Sequence, residues 1–207
     1  MLIAAVSGGA DSVAMLWLLL SGSDEPIHVH HVSIRARTGR WRTEDAAMER
    51  IVPWLTARAR PFAYTTSVRS GRGLATADIV IVTEDCGTVA RERYAGRVRA
   101  LARGANAHDM GDGGVGRRQA AAQRAWERAL GPRPPPIIFP VGHLTRPRVF
   151  EAMPEELAAM TWSCRRPQPT IAGAFRPCGT CKTCHEIRAH GAVYDFDRAM
   201  PALEEPR

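Results

Sequence analysis

Short apolar runs alternate with segments of helical periodicity along the first 150 residues of this chain. Residues 2–6 are small and branched apolar side chains, which predicts a buried strand. Residues 12–20 carry apolar side chains at helical spacing, and residues 27–34 alternate in the manner of a second strand. A strand that leads directly into a helix and then into another strand indicates a parallel sheet.

The same alternation continues towards the proline-rich stretch "GPRPPP". The pattern predicts, in chain order, a helix over 43–58, a buried strand over 78–82, a helix from 88, a strand over 98–101, a polar loop over 104–109, a glycine-rich surface turn over 111–116, a helix over 117–130 and a strand over 137–141. We therefore predict an α/β fold with a parallel sheet covered by helices on both faces. Ligands bind such sheets at the carboxyl ends of the strands.

The loop "VSGGADS" lies between the first predicted strand and the first predicted helix. Gly8 and Gly9 lack a Cβ, so the backbone can turn sharply and approach a ligand closely. Ser7 and Ser12 add hydroxyl donors, and a helix N-terminus exposes unpaired N–H groups. The loop is therefore a candidate phosphate cradle. The structural alternative is an ordinary glycine turn in which Asp11 or Ser12 caps the helix.

Composition narrows the class of protein. The chain has 207 residues, 45% of them hydrophobic, which suits one globular domain with a small appendage. The formal net charge of +7 favours anionic partners such as nucleotides or RNA. Lys182 is the only lysine, so arginine supplies nearly all of the positive charge. We expect a cytoplasmic protein without a leader, and the run "MLWLLL" is too short to span a bilayer.

Four of the five cysteines fall within twenty-one residues: Cys164, Cys178, Cys181 and Cys184. The last three form two overlapping C-x-x-C turns, which favour a metal over disulfides in a cytoplasmic protein. Four thiolates suit a closed structural Zn²⁺ site, and cysteine-only ligation also serves iron–sulfur clusters. Cys86 stands alone and is interpreted as a small buried residue.

Three histidines in "IHVHHVSI" raise the question of a second metal site. Strand alternation places His28 and His30 on one face and His31 on the other. A shared site is therefore disfavoured, and we interpret the three as structural histidines.

Four short segments together resemble one enzyme family. The letters S-G-G-x-D-S match the signature of the PP-loop ATP pyrophosphatases. "MTWSC", then "PCGTCKTCHEIRAHG" with Arg188, and "GANAHD" resemble segments of the 7-cyano-7-deazaguanine synthase family, as does the step from Arg40 to Glu44. The resemblance runs from residue 7 to about residue 191 in the family's order. The thirteen residues between Cys164 and Cys178 are more than the family usually has, whereas the stretch between its second and third strands is compressed here. The chain is therefore similar to a shortened, divergent member.

The resemblance implies an adenine nucleotide alpha hydrolase-like, Rossmann-like domain over residues 1–150 and a zinc knuckle over 151–207 packed on it. It implies conversion of 7-carboxy-7-deazaguanine and ammonia to the nitrile, with ATP and Mg²⁺, through an adenylated acid and an amide. The implied ATP loop is Ser7, Gly8, Gly9, Ala10, Asp11 and Ser12; the implied catalytic residues are Ser7, Asp11, Ser12 and Arg40; the implied substrate residues are Glu44 and Asp109; and the implied Zn²⁺ ligands are Cys164, Cys178, Cys181 and Cys184. For Asp109 the alternative is a turn or N-cap aspartate.

The sequence is compatible with three other functions. The first is an enzyme of the same type that stops at the amide, 7-amido-7-deazaguanine. A tRNA-modifying PP-loop enzyme, of the lysidine synthetase or thiolase type, fits the net charge but lacks room for an RNA-binding domain, and Cys86 is the sole candidate for a catalytic cysteine outside the cluster. A non-catalytic zinc-knuckle protein that binds nucleic acid is the third. Direct nucleic-acid binding and membrane association are disfavoured, and a homodimer is compatible with the sequence.

Overall fold

Strands and helices alternate along the chain in the computed structural model, which describes residues 1–71, 78–111, 113–189 and 194–201. The strands are β1 Leu2–Ala5, β2 Ile27–Arg35, β3 Ala63–Ser70, β4 Ala100–Arg103, β5 Ile137–Ile138, β6 Gln168–Pro169, β7 Ala174–Arg176 and β8 Met200–Pro201. The helices are α1 Ala10–Gly22, α2 Arg40–Arg58, α3 Asp78–Tyr94, α4 Ala107–Gly111, α5 Gly113–Leu130, α6 Arg146–Glu151, α7 Glu155–Met160 and α8 Lys182–Ala189.

The main sheet has the strand order β3-β2-β1-β4-β5, and every pair in it is parallel. The predicted α/β fold with a parallel sheet is confirmed, and the arrangement is Rossmann-like. The chain runs outward from β1 to β3 and then returns to place β4 on the other side of β1. The strand order therefore reverses between β1 and β4, which is where open α/β sheets bind ligands.

Two apolar cores cover the two faces of this sheet. On one face α1 and α2 bury side chains such as Leu16 and Ile51, and residues near the C-terminus, including Leu157 and Trp162, join the same core. On the other face α3 and α5 pack together over β1 and β4, with Trp126 fully buried. A small antiparallel sheet, β6-β7-β8, lies beside the cysteine cluster. The predicted domain boundary at residue 150 falls inside α6.

Three local predictions differ from the structure. Residues 78–82 begin α3 and are not a strand, because a short apolar run fits a half-buried helix face as well as a strand. Residues 113–116 belong to α5 rather than to a surface turn. The strand β3 was not predicted, because it is a largely exposed edge strand without an apolar run.

The histidines of β2 are structural, as predicted. His31 contacts the carbonyl oxygen of Val6 through Nδ1 at 2.9 Å and Asp45 through Nε2 at 2.8 Å. His28 and His30 lie on the opposite face, where both contact the hydroxyl of Thr65, at 2.7 and 2.8 Å. All three side chains are buried.

No helix in the described ranges is both long enough and apolar enough to cross a membrane.

Candidate functional site

A cleft of about 290 Å³ opens at the carboxyl ends of β1, β2 and β4. Its walls come from the loop after β1, the first turns of α2 and α3, the loop after β4, and residues of α5, α6 and α8. This volume is close to the lower end of the range for small-molecule pockets, about 300–1,000 Å³. The cleft lies where the strand order reverses and includes residues of the glycine loop, so it is the candidate ligand site of this fold.

The loop of residues 7–12, called here the first loop, is held by serine hydroxyls. The N–H of Ser7 donates to Oγ of Ser12 at 3.1 Å, and the N–H of Gly9 donates to Oγ of Ser7 at 3.4 Å. The N–H of Ala10, at the start of α1, donates to Oγ of Ser163 at 3.4 Å. The last two bonds are long, and their acceptors are hydroxyls that can rotate away. An incoming oxyanion can therefore replace them at the positive end of α1.

Two glycines give the first loop its shape. Gly8 has φ +81, which favours glycine, and a Cβ there would lie 3.0 Å from the carbonyl oxygen of Glu44. Gly104 follows β4, and a Cβ there would lie 2.4 Å from the backbone nitrogen of Ser12. The loops after β1 and β4 can therefore touch only because residue 104 lacks a side chain.

Asp11 ties the first loop to two distant segments. Its carboxylate accepts from Nδ2 of Asn106 at 2.8 Å and from Nη1 of Arg146 at 2.8 Å. Arg146 also donates to Glu186 of α8 at 3.0 Å. Burial raises the pKa of Asp11, and the positive charge of Arg146 opposes that rise. Neither Arg146 nor Asn106 is among the site residues predicted from the sequence.

Arg40 and Glu44 form a pair on the first turns of α2, at the wall of the cleft. Nε of Arg40 donates to Glu44 at 2.7 Å, and Nη1 lies 3.5 Å from the carboxylate of Asp78 in α3. The Glu44 carboxylate raises the pKa of Arg40, and burial raises the pKa of Glu44. The predicted Arg40–Glu44 step is thus one ion pair rather than two independent groups.

Asp109 lies on α4 and lines the cleft. Its carboxylate has no hydrogen-bond partner among the residues that the structure describes, so it is available to a ligand. The helix cap comes from Asn106, whose side-chain oxygen accepts from the N–H of His108 at 2.9 Å and of Asp109 at 3.2 Å. Asn106, not Asp109, therefore has the capping role.

The four clustered cysteines converge on one point. Their Sγ atoms all lie within 4.8 Å of one another. Tetrahedral ligation at a Zn–S distance of about 2.3 Å requires sulfurs about 3.8 Å apart, so the set fits a metal of this size. Backbone N–H groups donate to two of the sulfurs, from Cys178 to Cys164 and from Cys181 to Cys178, each at 3.2 Å. The cluster could bind a metal such as zinc.

The cysteine cluster and the first loop share a short segment. The N–H of Trp162 donates to the carbonyl oxygen of Gly8 at 2.8 Å, and Ser163 accepts from Ala10. Trp162 is buried, and its indole N–H donates to the carbonyl oxygen of Cys164 at 3.0 Å. The helix α8 starts directly after Cys181 and places Lys182, Thr183 and Glu186 at the cleft. Folding of the cluster therefore completes one wall of the cleft.

Two further residues lie apart from the cleft. Arg188 donates to the carbonyl oxygen of Gly179 at 2.8 Å, and its guanidinium lies 4.2 Å from the ring centroid of Phe196, so it braces the cysteine turns. Cys86 is fully buried between α3 and the sheet, and burial raises the pKa of its thiol to about 12. The interpretation of Cys86 as a small buried residue is confirmed.

No protein-family model matches this chain, and no curated protein matches its sequence. The functional assignment therefore depends on the residues and geometry of the cleft.

Proposed function

We propose that this protein is an AMP-forming PP-loop enzyme that converts 7-carboxy-7-deazaguanine and ammonia to 7-cyano-7-deazaguanine at the expense of ATP. One observation carries the proposal. The S-G-G-x-D-S letters run from the loop after β1 into the first turn of α1, at the reversal of strand order, and the amides of Gly9 and Ala10 donate to serine hydroxyls that a phosphate oxygen can replace.

The first loop would bind the polyphosphate of ATP. The amides of Gly9 and Ala10 and the hydroxyls of Ser7 and Ser12 lie at the start of α1, where the positive end of the helix dipole would stabilise the leaving pyrophosphate. Asp11 holds the loop against Asn106 and Arg146. A carboxylate has about four acceptor positions, so Asp11 retains capacity for the Mg²⁺ that accompanies ATP.

The chemistry follows from the poor electrophilicity of a carboxylate. A carboxylate oxygen attacks the α-phosphorus of ATP, the bond to the β-phosphate breaks, and pyrophosphate leaves. Ammonia then attacks the acyl carbon, AMP leaves and the amide forms. A second ATP transfers AMP to the amide oxygen, and loss of that AMP with the nitrogen-bound protons gives the nitrile. The protein supplies proximity and fixed charge for both activations.

Zinc in the four-cysteine site would have a structural role in this proposal. Four thiolates leave no open position for a water or a substrate. The metal would hold the segment 162–164, which contacts the first loop at Gly8 and Ala10. The burial of Cys86 argues against the thiolase alternative, because a catalytic thiolate must be reachable by substrate.

The test is a turnover assay with purified protein, ATP, Mg²⁺, ammonia and 7-carboxy-7-deazaguanine, read by mass spectrometry. We expect AMP and the nitrile, at two AMP per nitrile. AMP with the amide alone means that the second activation does not occur, and the enzyme is then an amide synthetase. AMP that forms only when tRNA is present supports a tRNA-modifying enzyme instead. Absence of ATP binding contradicts the proposal as a whole.

A further inference from the structure

Arg103 is a buried charge at the cleft without a carboxylate partner in the described part of the chain. It is the last residue of β4, and only 7% of it is exposed, yet its side chain lines the cleft. A guanidinium has five N–H donors. The structure records one donated bond, from Nη1 to Oε1 of Gln119 at 2.8 Å.

Arg146 shows the contrast within the same cleft. It is 3% exposed and donates to two carboxylates, those of Asp11 and Glu186. A buried cation is normally compensated in this way, because an unpaired buried charge destabilises the fold. Arg103 instead has two uncharged partners among the described residues, the Gln119 amide and the ring of Phe139, whose centroid lies 6.0 Å from the guanidinium carbon. Neither partner is an anion, so the positive charge is left for something outside the described chain.

The carboxylate of Asp78 is close enough to oppose the fall in the pKa of Arg103, but it forms its ion pair with Arg40. The carboxylate of Asp78 accepts from its neighbouring Ile79 N–H at 2.8 Å and lies 3.5 Å from Arg40. The Cys86 thiol below it is neutral, because burial raises its pKa to about 12. Arg118 of α5 also lines the cleft and adds a second positive charge. Burial lowers the pKa of Arg103 to about 10, so the side chain stays protonated at pH 7.

We propose that Arg103, oriented by Gln119, is the binding site for the carboxylate of the acid that the enzyme activates. This inference rests on the proposed function. Arg103 packs on the face covered by α3 and α5, whereas the first loop leads into α1 on the opposite face, so the cleft has two separate anion sites. A planar guanidinium fork matches a carboxylate, and the register partner of Arg103 is Ala5, two residues before Ser7. The acid is thereby held next to the triphosphate loop.

The first experiment measures binding by calorimetry for wild type and Arg103→Gln. The ligands are 7-carboxy-7-deazaguanine, the uncharged 7-cyano-7-deazaguanine, and ATP with Mg²⁺. We expect Arg103→Gln to weaken binding of the acid by about tenfold or more, because a charge-assisted hydrogen bond is lost. The affinities for the nitrile and for ATP should change by less than about twofold. Arg128→Gln, which removes one positive charge from the exposed face of α5, is the matched control and should leave all three affinities unchanged.

Two results would overturn the assignment. If wild type and Arg103→Gln bind the acid with equal affinity, Arg103 does not bind its carboxylate. Weaker ATP binding with unchanged acid binding shows that the anion is a phosphate of the nucleotide.

A second variant separates a ligand site from a structural role and does not depend on turnover. Arg103→Met removes an uncompensated buried charge, so we expect a higher midpoint of thermal unfolding without ligand than wild type. A lower midpoint means that Arg103 stabilises the fold and overturns the inference. The two proposals can also fail separately. If the wild type forms no AMP, the proposed function is contradicted. The inference about Arg103 still stands in that case, provided that Arg103→Met raises the unfolding midpoint and Arg103→Gln weakens binding of the acid.

Discussion

Ser12 organises the first loop through its hydroxyl. Oγ accepts from the N–H of Ser7 at 3.1 Å and donates to the carbonyl oxygen of Gly9 at 3.0 Å. We expect Ser12→Ala to lower AMP formation by at least about tenfold, because the loop loses both this anchor and a donor to phosphate. Metal content, measured by atomic emission, should not change. Ser21→Ala, at the exposed end of α1, is the control, and equal losses in the two variants would contradict a role for the loop.

Gly104 permits the contact between the two loops at the reversal of strand order. A Cβ would lie 2.4 Å from the Ser12 nitrogen and 2.5 Å from its Cα, and both are backbone atoms that cannot yield without moving the first loop. We expect Gly104→Ala to destabilise the protein by about 1–3 kcal/mol and to weaken ATP binding. Denaturant unfolding and calorimetry measure the two effects. Gly22→Ala, where a Cβ meets nothing within 4 Å, should be neutral or stabilising.

Single residues were predictable from sequence only where the chemistry is local. The first loop and the four cysteines could be recognised as candidate sites because the spacing of their residues within a short segment is sufficient. Asp11 and Arg146 are 135 residues apart, and Ala10 and Ser163 are 153 apart, so no local pattern relates them. Arg103 ends the four-residue strand "ALAR", and its burial without a carboxylate in ion-pair contact is visible only in three dimensions.

At the scale of elements, the cysteine turns and the first loop form one mechanical unit. The segment 162–164 contacts Gly8 and Ala10, and α8 contacts Arg146 through Glu186. Two sites joined in this way must influence each other equally, since coupling between binding equilibria is reciprocal. We expect removal of the metal with a chelator to weaken ATP binding, and saturating ATP to raise the affinity for the metal by the same factor. A metal affinity that is the same with and without ATP would refute the coupling.

Ser163 tests the same unit without removing the metal. Ser163→Ala deletes the hydroxyl that accepts from the Ala10 N–H. We expect faster hydrogen exchange at residues 8–12 in the nucleotide-free protein, with metal content, kcat and the KM for ATP near wild type, because a bound phosphate would replace this hydrogen bond. Exchange in β2, on the far side of β1, serves as the internal control. Unchanged exchange in the first loop would show that the hydroxyl does not support it.

Elements differ in how far sequence defines them. β1 and α1 were predicted because a fully buried strand and an apolar helix have distinct periods. The run "DIVIV" is ambiguous because α3 is half buried at that point, and β-branched residues can begin a helix when the sheet packs against them. β3 carries no apolar run because it is the exposed edge, so its position depends on pairing with β2 and on polar contacts of Ser67 and Arg69 with Asp85 of α3.

At the scale of the whole molecule, a polar network joins the sheet to α3. His28 contacts Tyr94 through Nδ1 at 2.6 Å and Thr65 through Nε2 at 2.7 Å. His30 contacts Thr65 at 2.8 Å and Ser67 at 3.4 Å, and Ser67 donates to Asp85. His28, His30 and Asp85 of this network are buried, and burial lowers the pKa of His28 to about 4.

Acid should therefore destabilise the protein through His28. Between pH 6.5 and about 4 the unfolded chain binds a proton at this histidine that the folded chain does not, so the free energy of unfolding falls as the pH falls. We expect His28→Gln to show a smaller loss between pH 7 and pH 4 in urea unfolding. His143→Gln changes an exposed histidine and should lose as much unfolding free energy between pH 7 and pH 4 as wild type. Equal losses in wild type and both variants would contradict an origin at His28.

The parallel sheet was predictable as a whole, but its strand order was not. Alternating strands and helices indicate parallel strands, and they leave open on which side of β1 each strand is added. The return of β4 to the side of β1 opposite β2 decides where the cleft opens. That choice depends on packing of α3 and α5 on the second face, which involves residues far apart in the chain.

The central position of β1 has a consequence for how the molecule forms. Leu2 pairs with Ile27 on one side and with Ala100 on the other, about one hundred residues later. During synthesis one edge of β1 therefore stays unpaired until β4 has left the ribosome. Pairings of such long range slow folding and expose strand edges to aggregation. Refolding from denaturant should accordingly be slow and sensitive to protein concentration, and expression should benefit from low temperature and chaperones.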